Sequence, residues 1–359
     1  MKKIIYIFTF LFLFLGFTEF IYSADNTYSG KRWGYSHMTL TKASDLAWSK
    51  DGNFVYYRTV ADDGSTICRF RDAWMNIRKQ DNAGNMKLET VPGNLRLETL
   101  YKITAPVKYF AFSPDTTKAA YCIPEGGGYA LYVVNLATKD TRKLTYGMAP
   151  SWSPKSDKIA FYFKGSNGRY CVGIINPDGS NFKVLSSLDD WSPVWSPDGK
   201  SIAFLSAREY ANNNGTMDYS NVFVIKLDPY SITQITRDKN VWQKNLSWSP
   251  VGKKLVYQTA RGVEISDVPP KTTKVVESSD KYKIDHAFKP VFSPDGRWIF
   301  FRREKGMGLI QHNTFQGAPI EGSAPWWSPA VDSTGKKIVF NLWSESSKAG
   351  IWVVEAFDF

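Results

Sequence analysis

A ten-residue pattern, clearest in "WSPDGKSIAF" from Trp195 to Phe204, returns along the chain and constrains its fold more than any other feature. An anchor residue opens each copy, a Ser-Pro-Asp-Gly-like turn follows, and an apolar and then an aromatic residue stand seven and nine positions after the anchor. The anchors are Trp48, Phe112, Trp152, Trp195, Trp248, Phe292 and, in a degenerate copy, Val331; the aromatics are Tyr57, Tyr121, Phe161, Phe204, Tyr257, Phe301 and Phe340. "WSPVW" at Trp191 and "WSPAV" at Trp327 copy the first letters but reach Lys200 and Lys336 at the ninth position, so neither is an anchor.

The physics of the pattern is a β-hairpin. Proline fixes φ at the first central position of a type I turn, and glycine accepts the left-handed conformation that returns the chain to a strand. The alternation after the turn has the period of two of a packed strand. A third apolar run follows each copy ("ALYVVN", "CVGIIN", "NVFVIK"), and several copies add a fourth short strand such as "TRKLT" or "SITQIT". Four strands repeated at intervals of a few tens of residues, with no amphipathic helix, predict an all-β fold, a β-propeller of seven four-stranded blades with six as the alternative. From Val331 only 28 residues remain, enough for three strands. Thr41 stands seven residues before Trp48 as Thr145 does before Trp152, so Met38–Thr41 is expected to supply the missing outer strand and close the ring.

The N-terminus bounds where the protein works. Lys2 and Lys3 precede an apolar run from Ile4 to Phe17, with small residues at Ser23 and Ala24, the layout of a cleaved secretory signal peptide over 1–24. Residues 25–37 are then a short lead, and 38–359 a single propeller domain without a transmembrane span in the mature chain. The formal net charge of +11 points, in an exported protein, to anionic glycans or acidic proteins rather than to nucleic acid. Three widely spaced cysteines, Cys68, Cys122 and Cys171, allow at most one bridge and form no metal-binding motif.

"PVWSPDGKSIAF" and "PSWSPKSDKIAF" resemble the WD40-like repeat of TolB-type periplasmic propellers, over roughly residues 38–359. The resemblance implies a rigid envelope scaffold. It is confined to the propeller, since the Tol-system family carries a separate α/β domain before a six-bladed ring. The repeat describes architecture, and function is sought elsewhere.

If the strands of each blade run outward from the axis, every Ser-Pro-Asp-Gly turn lies on one face of the propeller. The loops from second to third strand, and from blade to blade, lie on the other. The second, the loop face, collects the variable segments "RTVADDGSTICRFR", "SAREYANNNGTMDYS", "TRDKNVWQKN" and "RREKG". The ligand-binding candidates are placed there: Arg208, Tyr210, Trp242, Arg302, Arg303 and Trp343, within an arginine-biased surface that also includes Arg58, Arg69, Arg71 and Arg169. The expected partner of this monomer is an acidic envelope protein or an anionic glycan, and no cofactor is expected. The three histidines, His37, His286 and His312, fall at different levels of the blades and build no metal site, and no G-x-S-x-G motif occurs. The alternative is an exported lyase or hydrolase acting on an anionic polysaccharide, with no catalytic residue identifiable.

Overall fold

The computed structural model describes residues 32–38, 43–61, 64–71, 98–208, 220–237, 241–259, 262–271, 273–278, 290–303, 306–311, 317–320, 326–332, 337–342 and 350–357. Among them there is no helix, and the strands form seven four-stranded antiparallel sheets. The chain is an all-β propeller. In six sheets the four strands follow one another in sequence order. The first strands of the sheets are Ala43–Trp48, Tyr109–Phe112, Met148–Trp152, Asp190–Trp195, Val241–Trp248, Val291–Phe292 and Trp326–Val331; from Trp326–Val331 through Ala43–Trp48 to Val291–Phe292 each packs against the next, and Trp326–Val331 also packs against Trp298–Arg303. Each ends on one of the anchors read from the sequence.

The aromatics nine residues after the anchors lie in the second strands, and Tyr57, Tyr121, Phe161, Phe204, Tyr257 and Phe301 are at most 4% exposed. Burial covers both faces of these strands, as at Ile202, Ala203, Phe204 and Leu205, because each sheet is packed between two others. The core is therefore a set of layers between sheets. One joins Tyr56 and Ile67 of the first sheet to Ala119, Tyr121 and Val134 of the second. Another joins Trp48, Tyr57 and Phe70 to Val339 and Ile351 of the last sheet.

The turn after each anchor repeats one hydrogen-bond pattern. The serine hydroxyl accepts the backbone N–H five residues on, at 2.8–3.0 Å for Ser49, Ser113, Ser153, Ser196, Ser249 and Ser293. In five of the six it also donates to an aspartate, as Ser196 does to Asp198 at 2.6 Å. The left-handed position is glycine at Gly52, Gly199, Gly252 and Gly296, with φ between 67° and 72°, but Thr116 and Ser156 adopt it at 54° and 59°. These hydrogen bonds hold the carboxylates ionised. Asp51 is drawn down to about 2 by the Ser49 hydroxyl and by the backbone and side-chain N–H groups of Asn53. At Asp115, Asp198 and Asp295 burial pushes upward, yet the serine and backbone donors prevail and the pKa is lowered.

The anchors tie neighbouring sheets together. Trp152 Nε1 donates to Ala111 O at 3.1 Å, Trp248 Nε1 to Val194 O at 3.0 Å and Trp48 Nε1 to Ala330 O at 3.2 Å. In every case the acceptor is the carbonyl just before the neighbouring anchor. Trp195 breaks the series: its Nε1 is buried without an acceptor, while its backbone N–H donates to Ser151 Oγ at 3.3 Å.

Two expectations need correction. The outer strand of the last sheet is Arg32–Met38, not Met38–Thr41, and pairs with Gly350–Phe357 from Arg32 opposite Phe357 to Met38 opposite Ile351. The Thr145–Trp152 spacing belongs to a junction where Tyr146 ends one strand and Met148 begins the next, whereas residues 39–42, outside the described residues, separate Arg32–Met38 from Ala43–Trp48. Residues 32–37 thus belong to a strand rather than to a lead. Likewise "RTVADDGSTICRFR" is not a long loop but most of a hairpin, Phe54–Ala61 paired with Gly64–Arg71, as its β-branched and aromatic residues favour.

Candidate functional site

Of the six candidate residues, Arg208 has its side chain among the described residues, and it is not a free binding group. It leaves the end of strand Ser201–Ser206, donates to Asp190 Oδ1 at 2.9 Å and Ser206 Oγ at 3.0 Å, and lies over the Phe223 ring at 4.5 Å. Asp190 is completely buried, so this guanidinium neutralises a carboxylate inside the blade. Trp242 is in strand Val241–Trp248, and Arg302 and Arg303 end strand Trp298–Arg303; their side chains, like Tyr210 and Trp343 as a whole, lie outside the described residues.

Other arginines expected to face a partner are also engaged internally. Arg58 is buried and reaches Asp45 Oδ2 at 2.7 Å and Ser65 Oγ at 2.9 Å. Arg69 holds Glu98 at 2.7 Å and stacks on Phe54 at 4.7 Å; Arg169 is 3.7 Å from Asp189. The signal was present in the sequence. Asp45 and Asp190 lie near the start of an inner strand and meet an arginine toward the far end of the strand that follows it, whereas Asp189 meets Arg169 of the preceding sheet.

The turn face is less uniform than its repeats imply. Strands Gly64–Arg71 and Glu98–Ile103 are joined on that side by residues 72–97, outside the described residues. On the same face a concavity of about 290 Å³ lies between four consecutive sheets, lined by Pro114 of one, Trp152 and Pro154 of the next, Val194, Trp195, Ser196 and Pro197 of the third, and Ser247 and Trp248 of the fourth. The turns around it carry Lys155, Lys200 and Lys253, each exposed and without an ion pair among the described residues. These tryptophans and prolines, repeat residues that build the frame, also line a pocket.

Among the described residues no group of three His, Cys, Asp or Glu side chains is placed to hold a metal ion, and no helix is long and apolar enough to cross a membrane. His286 and His312 lie outside the described residues, and His37 pairs with Trp352 in the outer strand of the last sheet. The cysteines Cys68, Cys122 and Cys171 are free and buried, and burial raises the thiol pKa of each.

No protein-family model matches the chain. The Tol-Pal system protein TolB of Francisella tularensis subsp. mediasiatica is 28% identical over 207 residues, 53% of this chain and 44% of that protein. A TolB homolog of Chlorobium luteolum is 41% identical over 104 residues, 27% of this chain and 23% of its own length. The chain thus spans less than half the length of these relatives. Among solved structures, TolB from Acinetobacter baumannii superposes with a TM-score of 0.50 at 18% identity, covering 79% of this chain and 67% of that one. An oligogalacturonate lyase from Vibrio parahaemolyticus reaches 0.63 at 10% identity over 90% and 97%. The likenesses to solved structures show the fold, and the repeat sequence and the matched relatives are those of TolB-like β-propellers, which this chain resembles over its propeller.

Proposed function

We propose that the chain is an exported, non-enzymatic β-propeller of the cell envelope that captures a protein partner. In this reading the seven sheets are the blades of one ring, closed by Arg32–Met38. The pairing of that strand with Gly350–Phe357 and the Trp48–Ala330 hydrogen bond between first and last sheets support it. The signal peptide over 1–24 directs the chain to the periplasm or beyond, in keeping with relatives named for the Tol-Pal system. Partner capture is assigned to the loop face, through Tyr210, Trp242, Arg302, Arg303 and Trp343, with Arg208 holding the frame from beneath.

The observation that carries this reading is the use made of the recurring residues. Serines, aspartates and tryptophans are committed to turn and inter-sheet bonds, giving a rigid support for variable loops. The purified mature protein, used as bait in envelope extract and on a glycan array, tests it. Protein capture weakened by Arg302→Ala with Arg303→Ala is the expected result. Retention of anionic glycans alone, or release of unsaturated uronate from oligogalacturonate, replaces the scaffold reading with the polysaccharide one.

A further inference from the structure

We infer that the outer wall of the propeller, where the second, third and fourth sheets end, is a lipid-contacting surface that seats the protein on the headgroup region of an anionic bilayer. The inference uses neither face of the ring, so it stands or falls apart from partner capture at the loop face.

The first observation is where apolar side chains are exposed. Among the described residues six large ones are exposed, and five of them, Tyr146, Phe182, Val184, Leu188 and Tyr230, lie in or within two residues of three outer strands. These strands, Thr141–Tyr146, Lys183–Ser186 and Tyr230–Gln234, close consecutive sheets. Each of the five side chains is 45–53% exposed. The outer strand of the first sheet, Glu98–Ile103, is built differently: it buries Leu100 and Ile103 and exposes Glu98, Thr99 and Lys102. Hydrogen bonds between sheets make the apolar wall continuous. Arg142 Nη1 donates to Asp178 O at 3.0 Å, and the Tyr230 hydroxyl donates to Leu185 O at 2.6 Å. A clustered apolar surface of this kind marks a contact site.

The second observation is the chemistry of that surface. The three strands carry Arg142, Lys143 and Lys183 and no carboxylate. Lys183 stands between Phe182 and Val184 without an ion pair among the described residues, and Lys143, paired with Glu125, lies 4.3 Å over the Tyr146 ring. The carboxylates Asp140, Asp178 and Asp228 are in the turns that lead into the strands, at one end of the wall. Tyrosine and phenylalanine interleaved with lysine and arginine suit a membrane interface, where amphipathic rings sit at headgroup level and cations meet lipid phosphates. Phe182 is held for such a contact by Phe161 and Phe163, with ring centroids at 5.9 and 5.5 Å. Gly173 leaves room for it, since a Cβ there would stand 3.1 Å from both Phe163 and Phe182.

The third observation argues against a protein strand as the occupant. A bare sheet edge invites another strand, but Lys183–Ser186 is four residues long and its Leu185 carbonyl is already taken by Tyr230. The wall therefore offers side chains rather than backbone. Its remaining edge N–H and C=O groups would find no partner in hydrocarbon, which confines the contact to headgroup depth.

The test uses residues 25–359, because the apolar run Ile4–Phe17 would bind lipid by itself. The probes are vesicles of phosphatidylcholine with and without phosphatidylglycerol, read by co-sedimentation. Binding to the anionic vesicles is expected, weakening as salt rises. Phe182→Ser with Val184→Ser should lower partitioning about tenfold, from the apolar area no longer buried. Arg142→Glu with Lys183→Glu should lower it several-fold at low salt. Val251→Ser, at an exposed apolar residue of the turn face, and Arg302→Ala with Arg303→Ala should leave it unchanged. In Phe182→Trp the emission should shift to the blue on vesicles, and lipids brominated near the headgroup should quench it more than lipids brominated at the chain ends. Melting curves check folding, and if the double serine variant does not fold, the charge reversals and Phe182→Trp decide. The proposal fails if the protein stays in the supernatant with anionic vesicles, if the substitutions in the wall change nothing, or if Phe182→Trp emission is unmoved. It also fails if the protein forms a lipid-free dimer that the serine substitutions abolish, which would make the wall an interface between copies.

Discussion

Replacing the anchor tryptophans one at a time by phenylalanine separates the packing of these rings from the hydrogen bonds they make. Trp152, Trp195 and Trp248 are all 6–7% exposed and occupy the same place in consecutive sheets, so the loss of ring volume is nearly common to the three. The difference lies in the indole N–H. Trp152→Phe strands Ala111 O and Trp248→Phe strands Val194 O, carbonyls now bonded at 3.1 and 3.0 Å. Removing one partner of a buried hydrogen bond costs about 1–3 kcal/mol. Trp195→Phe removes a donor that has no acceptor, so the packing loss is partly offset. We expect Trp152→Phe and Trp248→Phe each to exceed Trp195→Phe by about 1–3 kcal/mol in denaturant unfolding. In a domain this large that is a Tm gap of about 2 °C for each kcal/mol. Equal losses at the three positions, within about 0.5 kcal/mol, would mean that the indole bonds contribute nothing measurable. A larger loss at Trp195 would refute the assignment of its N–H.

Three further outcomes follow from the frame. Deleting residues through 42 uncovers Gly350–Phe357 as an unpaired edge, so thermal stability should fall and self-association rise in light scattering; an unchanged melt counts against closure. Arg208→Ala leaves Asp190 buried without its cation and should cost about 3–5 kcal/mol in unfolding, which a solvent-facing binding arginine would not. The turn aspartates have folded pKa values below their unfolded ones. Their contribution is therefore complete above the usual carboxylate range and is lost as pH falls, through about 2 at Asp51, so Tm should drop on acidification below about pH 4 and Asp198→Asn should flatten that slope.

What could be read from the sequence, and what could not, divides along a physical line. The anchors, turns and buried aromatics were legible because each does its work within ten residues: Ser196 bonds Asp198 and Ser201 whatever the rest of the chain does. Groups whose role depends on a neighbour brought up by the fold were not. Arg208 looks like an exposed loop cation until the blade places Asp190, 18 positions earlier, against its guanidinium. The outer strand of the last sheet lies at Arg32–Met38 rather than at Met38–Thr41, because its position depends on the length of a connection rather than on any residue within it. Trp195 shows the limit most clearly. Its copy, "WSPDGKSIAF", fits the repeat best, yet it is the anchor without an indole bond, since the acceptor belongs to the preceding sheet, where Ser151 instead receives the backbone N–H of Trp195. A sequence motif describes the residue that donates and is silent about the one that must accept. The places where a repeat is locally perfect but leaves a partner unpaired across the sheets are therefore where a structure adds most, and here that place is the wall of the pocket.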